Sequence, residues 1–291
     1  MVGDPGAPGG PAGQAPPPIG VALGSVGATA EWWLESARRL ERAGYRAVWS
    51  WDHFTGQGDR TVPVVEQWTI LSATAGSTSR VGLGTFVTNV MNRHPAVVAR
   101  MAATLQDLSA GRFTLGIGIG GAPKEHRAYG IDFPGVDERV ERLEEAVAVI
   151  RGLWTGGPVT RPSRYYPLED AYAFPAPVPP PRILVGGGSP RGVRVAAKIG
   201  DGWAAEIDDF ERLIPIYRDA LAAEGRSLDD AWIALGFGGG KTGVDALKGS
   251  PWIEAPRETW ARYAALGVDE AIVTARTTAD VDALVTAVQR W

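Results

Sequence analysis

The chain carries three histidines, and one of them directly follows an aspartate: Asp52 and His53, in the stretch "AVWSWDHFTG" at 47–56. An imidazole titrates near neutral pH, so it can take or give a proton during a reaction, and a neighbouring carboxylate can fix its tautomer. The plain alternative makes Asp52 a turn cap and His53 a satisfied rim residue. A second stretch, "LVGGGSP" at 184–190, sets Gly186, Gly187, Gly188 and Ser189 ahead of a helical pattern. Glycines let a ligand approach the backbone, and the free N–H groups of a helix start attract an anion. Arg191 or Arg194 would add charge, whereas the plain alternative is a helix entry and nothing more. In a third stretch, "GTFVTN" at 84–89, a flat ring could lie against Phe86 and Val87, or the segment is simply a buried strand.

Other chemistry is argued against by spacing and composition. "GIGIGG" at 116–121 matches G-x-G-x-x-G, but "APKEHRAYGIDFP" follows, broken by Pro123 and Pro134, where a dinucleotide fold needs a helix. "LGFGGGKTG" places Leu235 where a P-loop needs its first glycine. The chain has no cysteine, which removes thiolate chemistry, and its histidines show no HxxxH or HExxH spacing, so no metal site is expected. Lys and Arg number 29 against 33 Asp and Glu, with no basic block, which points away from nucleic acid. No apolar run reaches the ~18 residues of a membrane helix. Residues 1–18 are rich in Pro, Gly and Ala, without the basic and apolar regions of a signal peptide. They read as a disordered tail ahead of one domain over 19–291, in a cytoplasmic protein. His94 is expected at a helix start, His126 on the surface, and "DERVERLEE" on a solvated helix face.

The elements that must position these residues alternate. Short apolar strands are expected at 19–23, 47–51, 81–88, 112–120, 182–187, 202–206, 231–237 and 270–275, with helical patterns between them. Thr29 caps the first helix, in which Trp33, Leu34, Ala37 and Leu40 share a face, and Gly44 stops it. The Pro-rich excursion at 156–181 reads as an inserted loop. Eight strand–helix units with continuous apolar strands fit a single (β/α)8 TIM barrel with an insertion before the fifth strand. A doubly wound open sheet is the other arrangement. In a barrel the strand ends share one mouth, so Asp52 and His53 would sit in it.

In that order, "GYRAVWSWDHF", "RVGLGTFVTNVMNRHPAVVARMAATLQDLSAGRFTLGIGIG", "EHRAYGIDFP" and "PPRILVGGGSPRGVRVAAKIGDGW" resemble the bacterial luciferase-like monooxygenase superfamily. Within it they resemble the oxidoreductases that depend on the deazaflavin coenzyme F420. The resemblance covers roughly residues 19–205 closely and the rest loosely. It implies the barrel, its insertion, and a flavin or deazaflavin ring in the mouth. It puts His53 at the hydride-transfer face as proton donor or acceptor, with Asp52 orienting it. It puts Thr85, Phe86, Val87 and Thr88 behind the ring, where a non-prolyl cis peptide often lies, and makes Gly186, Gly187, Gly188 and Ser189 the phosphate binders. It also implies a homodimer. Where relatives often carry a Trp or Glu after the fourth strand, this chain has Gly121, Ala122 and Pro123, so the acid drawn from there is missing, with Lys124 or Glu125 as the substitutes at hand, and sugar-phosphate oxidation is not expected.

The expected function is hydride transfer between F420 and a small organic substrate. The alternatives are an FMN-dependent monooxygenase that uses O2 and a partner reductase, and a non-catalytic flavin-binding barrel.

Overall fold

The computed structural model describes residues 18–56, 58–238, 247 and 249–291. Most of the expected tail, and residues 57, 239–246 and 248, lie outside the described residues. The strands are β1 (Ile19–Leu23), β2 (Ala47–Ser50), β3 (Gly82–Thr85), β4 (Thr88–Asn89), β5 (Phe113–Gly118), β6 (Val159–Arg161), β7 (Leu168–Ala171), β8 (Arg182–Gly186), β9 (Gly202–Glu206), β10 (Trp232–Phe237) and β11 (Glu270–Ala275). The main sheet is parallel in the order β3-β2-β1-β11-β10-β9-β8-β5, and β3 pairs with β5 to close it. Eight parallel strands with helices between them make the expected (β/α)8 barrel. β4 carries the third strand on beyond Phe86–Val87, whose peptide bond is cis.

The helices begin and end for local reasons. In α1 (Ala30–Ala43) Thr29 accepts the Trp32 N–H, Gly44 closes the end at φ 86°, and Trp33, Ala37 and Leu40 face the barrel. In α3 (Pro95–Leu108) the exposed His94 side chain is the cap, accepting from Ala96 N. This confirms the expected structural role of His94. A large apolar core fills the space between the strands and the helix ring.

A smaller core fills the barrel itself, and it is layered by the two-residue period of the strands. The lowest layer holds Glu270, Trp232 and Arg182. The middle layer holds Ala22, Trp49, Leu184, Ala204, Ala234 and Ile272. Trp49 is by far the largest of these, and its neighbours are cut back to hold it. A Cβ on Gly84 would stand 2.2 Å from its ring, and one on Gly20 2.4 Å from its indole nitrogen. That nitrogen donates to Glu270 Oε1 at 2.8 Å. Burial lifts the Glu270 carboxyl to about 7, against the opposing pull of Arg46 and the Trp49 hydrogen bond.

The excursion at 156–181 is more ordered than a loop. β6 and β7 pair antiparallel as a hairpin. The acidic run of α5 (Val136–Leu153) holds the insert. Glu145 accepts from Ser163 and from Tyr165 N, and Glu141 accepts from the Tyr165 hydroxyl at 2.6 Å. Part of the face expected to be solvated therefore anchors the insertion.

Candidate active site

The mouth of the barrel holds a cavity of about 360 Å³. Its wall includes Trp51, His53, Phe86, Glu206, Thr274 and Arg276. All stand at or just beyond the C-terminal ends of strands. The volume is at the small end for organic ligands.

Strand parity sorts the residues around the second strand end. Trp49 faces inward, and Trp51 and His53 keep that parity and reach the cavity. Asp52, one residue out of phase, turns the other way. It accepts from Asn89 N at 2.9 Å and from Arg93 Nη1 at 3.0 and 2.8 Å. Arg93 also donates to Glu66 at 2.7 Å, and Glu66 caps α2 (Gln67–Ser77). Burial pulls the Arg93 guanidinium down, but Asp52 and Glu66 outweigh it and raise it above the usual range. Asp52 is thus a strut between β2, the β4 turn and α2. The expected orientation of His53 by Asp52 is corrected: period-two geometry puts the two side chains on opposite sides of the wall.

The partner of His53 comes from α4 (Pro123–Tyr129). Glu125 Oε1 and Oε2 lie 3.2 and 3.4 Å from His53 Nδ1. With the proton on Nδ1, the imidazole donates to the carboxylate and Nε2 is left as the free ring nitrogen. Pro123, which argued against a helix at this place, occupies its first turn, where a missing N–H costs nothing. Glu125, which with Lys124 stood only as a substitute for the acid missing at 121–123, is the carboxylate beside His53.

His126, expected on the surface, is fully buried. Its Nδ1 donates to Ala122 O at 2.9 Å, its Nε2 accepts from Asn89 Nδ2 at 3.0 Å, and its ring packs on Phe133. Both nitrogens are satisfied, so it locks α4 in place and holds Glu125 towards His53. Arg139 closes the same region by donating to the carbonyls of Ile119 and Gly120.

The third strand end divides. The Thr85 hydroxyl donates to Gly116 O at 2.7 Å and the Thr88 hydroxyl to Gln67 Oε1 at 2.8 Å, both fully buried. The expectation that Thr85 and Thr88 contact a cofactor is corrected, because both side chains point into the wall and their protons are spent there. Phe86 and the half-buried Val87 remain as a surface. Gly118 and Gly186 keep that surface bare: a Cβ on either would come within 2.9 or 3.3 Å of Val87.

At the fifth strand end, Gly187 O accepts from Trp203 Nε1 at 2.9 Å, and a Cβ there would meet the backbone of Gly192. Ser189 caps α6 (Pro190–Ile199), accepting from Gly192 N at 3.1 Å. Gly188 is exposed, and a Cβ there would meet nothing within 4 Å. Arg191 pairs with Asp137, and Arg194 donates to Pro190 O. The helix-entry reading accounts for Gly187 and Ser189, while the helix start at Gly188 stays open.

Glu206 is the wall residue that sequence reasoning passed over. The surrounding protein, and then the charge of Asp208, lift its carboxyl to about 7, although it keeps access to solvent through the mouth. The signal was available in "GWAAE": residues 202, 204 and 206 share parity, so the glutamate at the strand end had to face the mouth.

Residues 14–238 match the luciferase-like monooxygenase family. The chain belongs to this family. It is 40% identical over 199 residues to an F420-dependent glucose-6-phosphate dehydrogenase of Kineococcus radiotolerans, covering 66% of this chain and 58% of that one. It is 33% identical over 211 residues to an F420-dependent hydroxymycolic acid dehydrogenase of Mycobacterium tuberculosis, covering 72% of this chain and 58% of that one. In both cases the match spans well under two thirds of the relative's length. The fold is similar to an F420-dependent secondary alcohol dehydrogenase solved with an F420–acetone adduct, at TM-score 0.79 and 21% identity over 94% of this chain and 98% of that one. It is also similar to the F420-dependent tetrahydromethanopterin reductase of Methanopyrus kandleri, at TM-score 0.74 and 18% identity with the same coverage. Among the described residues no helix is long and apolar enough to cross a membrane, and no cluster of metal-ligating side chains occurs.

Proposed function

We propose that the chain is an F420-dependent oxidoreductase that moves a hydride between the coenzyme and a small organic substrate. The observation that carries this reading is the His53–Glu125 pair on the wall of a mouth cavity beside Phe86. The names of its relatives supply the coenzyme. The residues present fit such a group: Phe86 and Val87 form an apolar surface that Gly118 and Gly186 leave clear, and Gly188 gives open access to the α6 N-terminus. Phe86 and Val87 would back the ring, and the backbone at Gly186, Gly187, Gly188 and Ser189 would hold a phosphate. When bound, F420 supplies the hydride donor or acceptor.

His53 does the proton work. As a hydride leaves an alcohol carbon, Nε2 takes the hydroxyl proton; in the reverse direction the imidazolium returns it to the carbonyl oxygen. Glu125 holds the ring in the tautomer that leaves Nε2 free and stabilises the cation that forms. Trp51, Phe86 and Phe237 form the apolar side of the cavity wall. The reading includes a cytoplasmic homodimer. Exposed Val97 and Leu108 on α3, with Tyr172 and Phe174 on the insert, supply apolar surface for it. Light scattering at micromolar concentration checks the dimer, and a monomeric mass overturns it.

The test of the coenzyme is side-by-side fluorescence titration with F420 and FMN. Binding of F420 at least about 10-fold tighter than FMN is expected. A preference for FMN overturns the reading in favour of an oxygen-using monooxygenase with a partner reductase.

A further inference from the structure

The carboxylate of Glu206 plays no part in the proton transfer assigned to His53, yet it stands on the same cavity wall. It ends β9 in register with Gly236 on β10. Gly236 makes room for it: a Cβ there would come 3.0 Å from Glu206 Oε2 and 2.7 Å from the Phe86 ring. The carboxylate and the Phe86 ring therefore converge on one bare patch of strand backbone. Burial first, and then the negative charge of Asp208, raise the carboxyl.

Arg276 also lines the cavity, but it is engaged elsewhere. Its guanidinium lies over the Trp51 ring, 5.5 Å from the centroid, and donates to Gly238 O at 3.3 Å. Among the described residues it makes no ion pair with Glu206.

We propose that Glu206 is a substrate-contacting residue that selects molecules offering a hydroxyl or amine and rejects phosphate monoesters. This rests on the oxidoreductase reading above and names its substrate class. A hydroxyl suits the carboxyl in either protonation state, because it can donate to the anion or accept from the acid. An ammonium pairs with the anion. A phosphate dianion set against the same carboxylate meets like charge at the cavity mouth, which disfavours it.

The test is isothermal titration of the chain with glucosamine, glucose and glucose 6-phosphate, which share a ring and differ in charge. Glu206→Gln and Glu206→Lys proteins are run beside it, with F420 titrated into each. The expected result is glucosamine binding at least about 10-fold tighter than glucose 6-phosphate in the wild type. That ratio should fall to within about 3-fold in Glu206→Gln and invert in Glu206→Lys. Equal or tighter binding of the phosphate ester by the wild type, an unchanged ratio in Glu206→Gln, or no binding of any of the three overturns the proposal. Failure of F420 to bind any of the proteins overturns the coenzyme instead, and the ratio still decides the role of Glu206.

Discussion

His53 Nδ1 lies 3.2 Å from Glu125 Oε1, across 72 residues of sequence, and that contact sets which ring nitrogen is free. Replacing Glu125 with Gln keeps the shape, but its amide can donate to Nδ1 and drive the proton to Nε2. Turnover with F420 should fall by about 10- to 100-fold, within the range that general acid–base catalysis contributes. F420 affinity should stay within about 2-fold, since Glu125 touches no surface assigned to the coenzyme. Histidine 15N shifts provide the second readout: the His53 signals should move from one tautomer to the other. Unchanged turnover together with unchanged shifts would remove Glu125 from the mechanism.

Asp52 should matter for stability rather than for proton transfer. It is nearly buried, and it holds both Arg93 and the Asn89 N–H. Asp52→Ala strands the buried Asn89 N–H and leaves the half-buried Arg93 guanidinium to Glu66 alone, a change that costs about 1–3 kcal/mol. Urea unfolding at pH 7 should show that loss. Arg93→Ala should be comparably damaging, and the double variant should cost clearly less than the two single losses added together. Strict additivity would mean that the strut is not a unit.

How far the sequence could be read differs between the scaffold and the site. All eight barrel strands were legible because each is a short apolar run between helical patterns, and burial on both faces writes that run plainly. The α4 helix was not legible, because two prolines bracket it and its first proline looked like a breaker. Glu125 was therefore only one of two substitutes for a missing acid, with nothing to place it beside His53. His126 was misplaced for a related reason: a histidine among Lys, Glu and Arg looks exposed, and only the fold brings Asn89 and Phe133 onto it. Asp52 was assigned from adjacency, when strand parity already sets residues 52 and 53 on opposite sides of the wall. The same parity, applied to "GWAAE", would have found Glu206.

Glu270 should make the protein less stable as pH rises. Burial lifts its carboxyl to about 7, above the ordinary value near 4.5. Below the lower value both folded and unfolded chains hold the proton. Between the two the unfolded chain releases it and the folded chain does not, so stability falls with pH and the loss is complete above about 7. The loss is at most about 3 kcal/mol. Glu270→Gln keeps an oxygen for the Trp49 N–H and removes the charge. Unfolding free energies measured from pH 4.5 to 8 should slope less in the variant, which should be the more stable protein at pH 8. Parallel slopes would show that Glu270 is ionised in the folded barrel throughout.

Gly84 should be intolerant of any side chain while Trp49 is present. A Cβ there would stand 2.2 Å from Trp49 Cε3, inside a ring of strands that cannot spread without breaking its hydrogen bonds. Gly84→Ala should cost about 3 kcal/mol, at the upper end for overpacking. The cause can be isolated by shrinking the neighbour. Trp49→Phe alone should destabilise, since it opens space in the middle layer and takes a donor from Glu270. Within that background the added methyl meets a smaller ring, so Gly84→Ala should cost less than it does alone, by about 1 kcal/mol or more. If the cost of Gly84→Ala is the same in both backgrounds, the glycine answers to the backbone of β3 rather than to the indole.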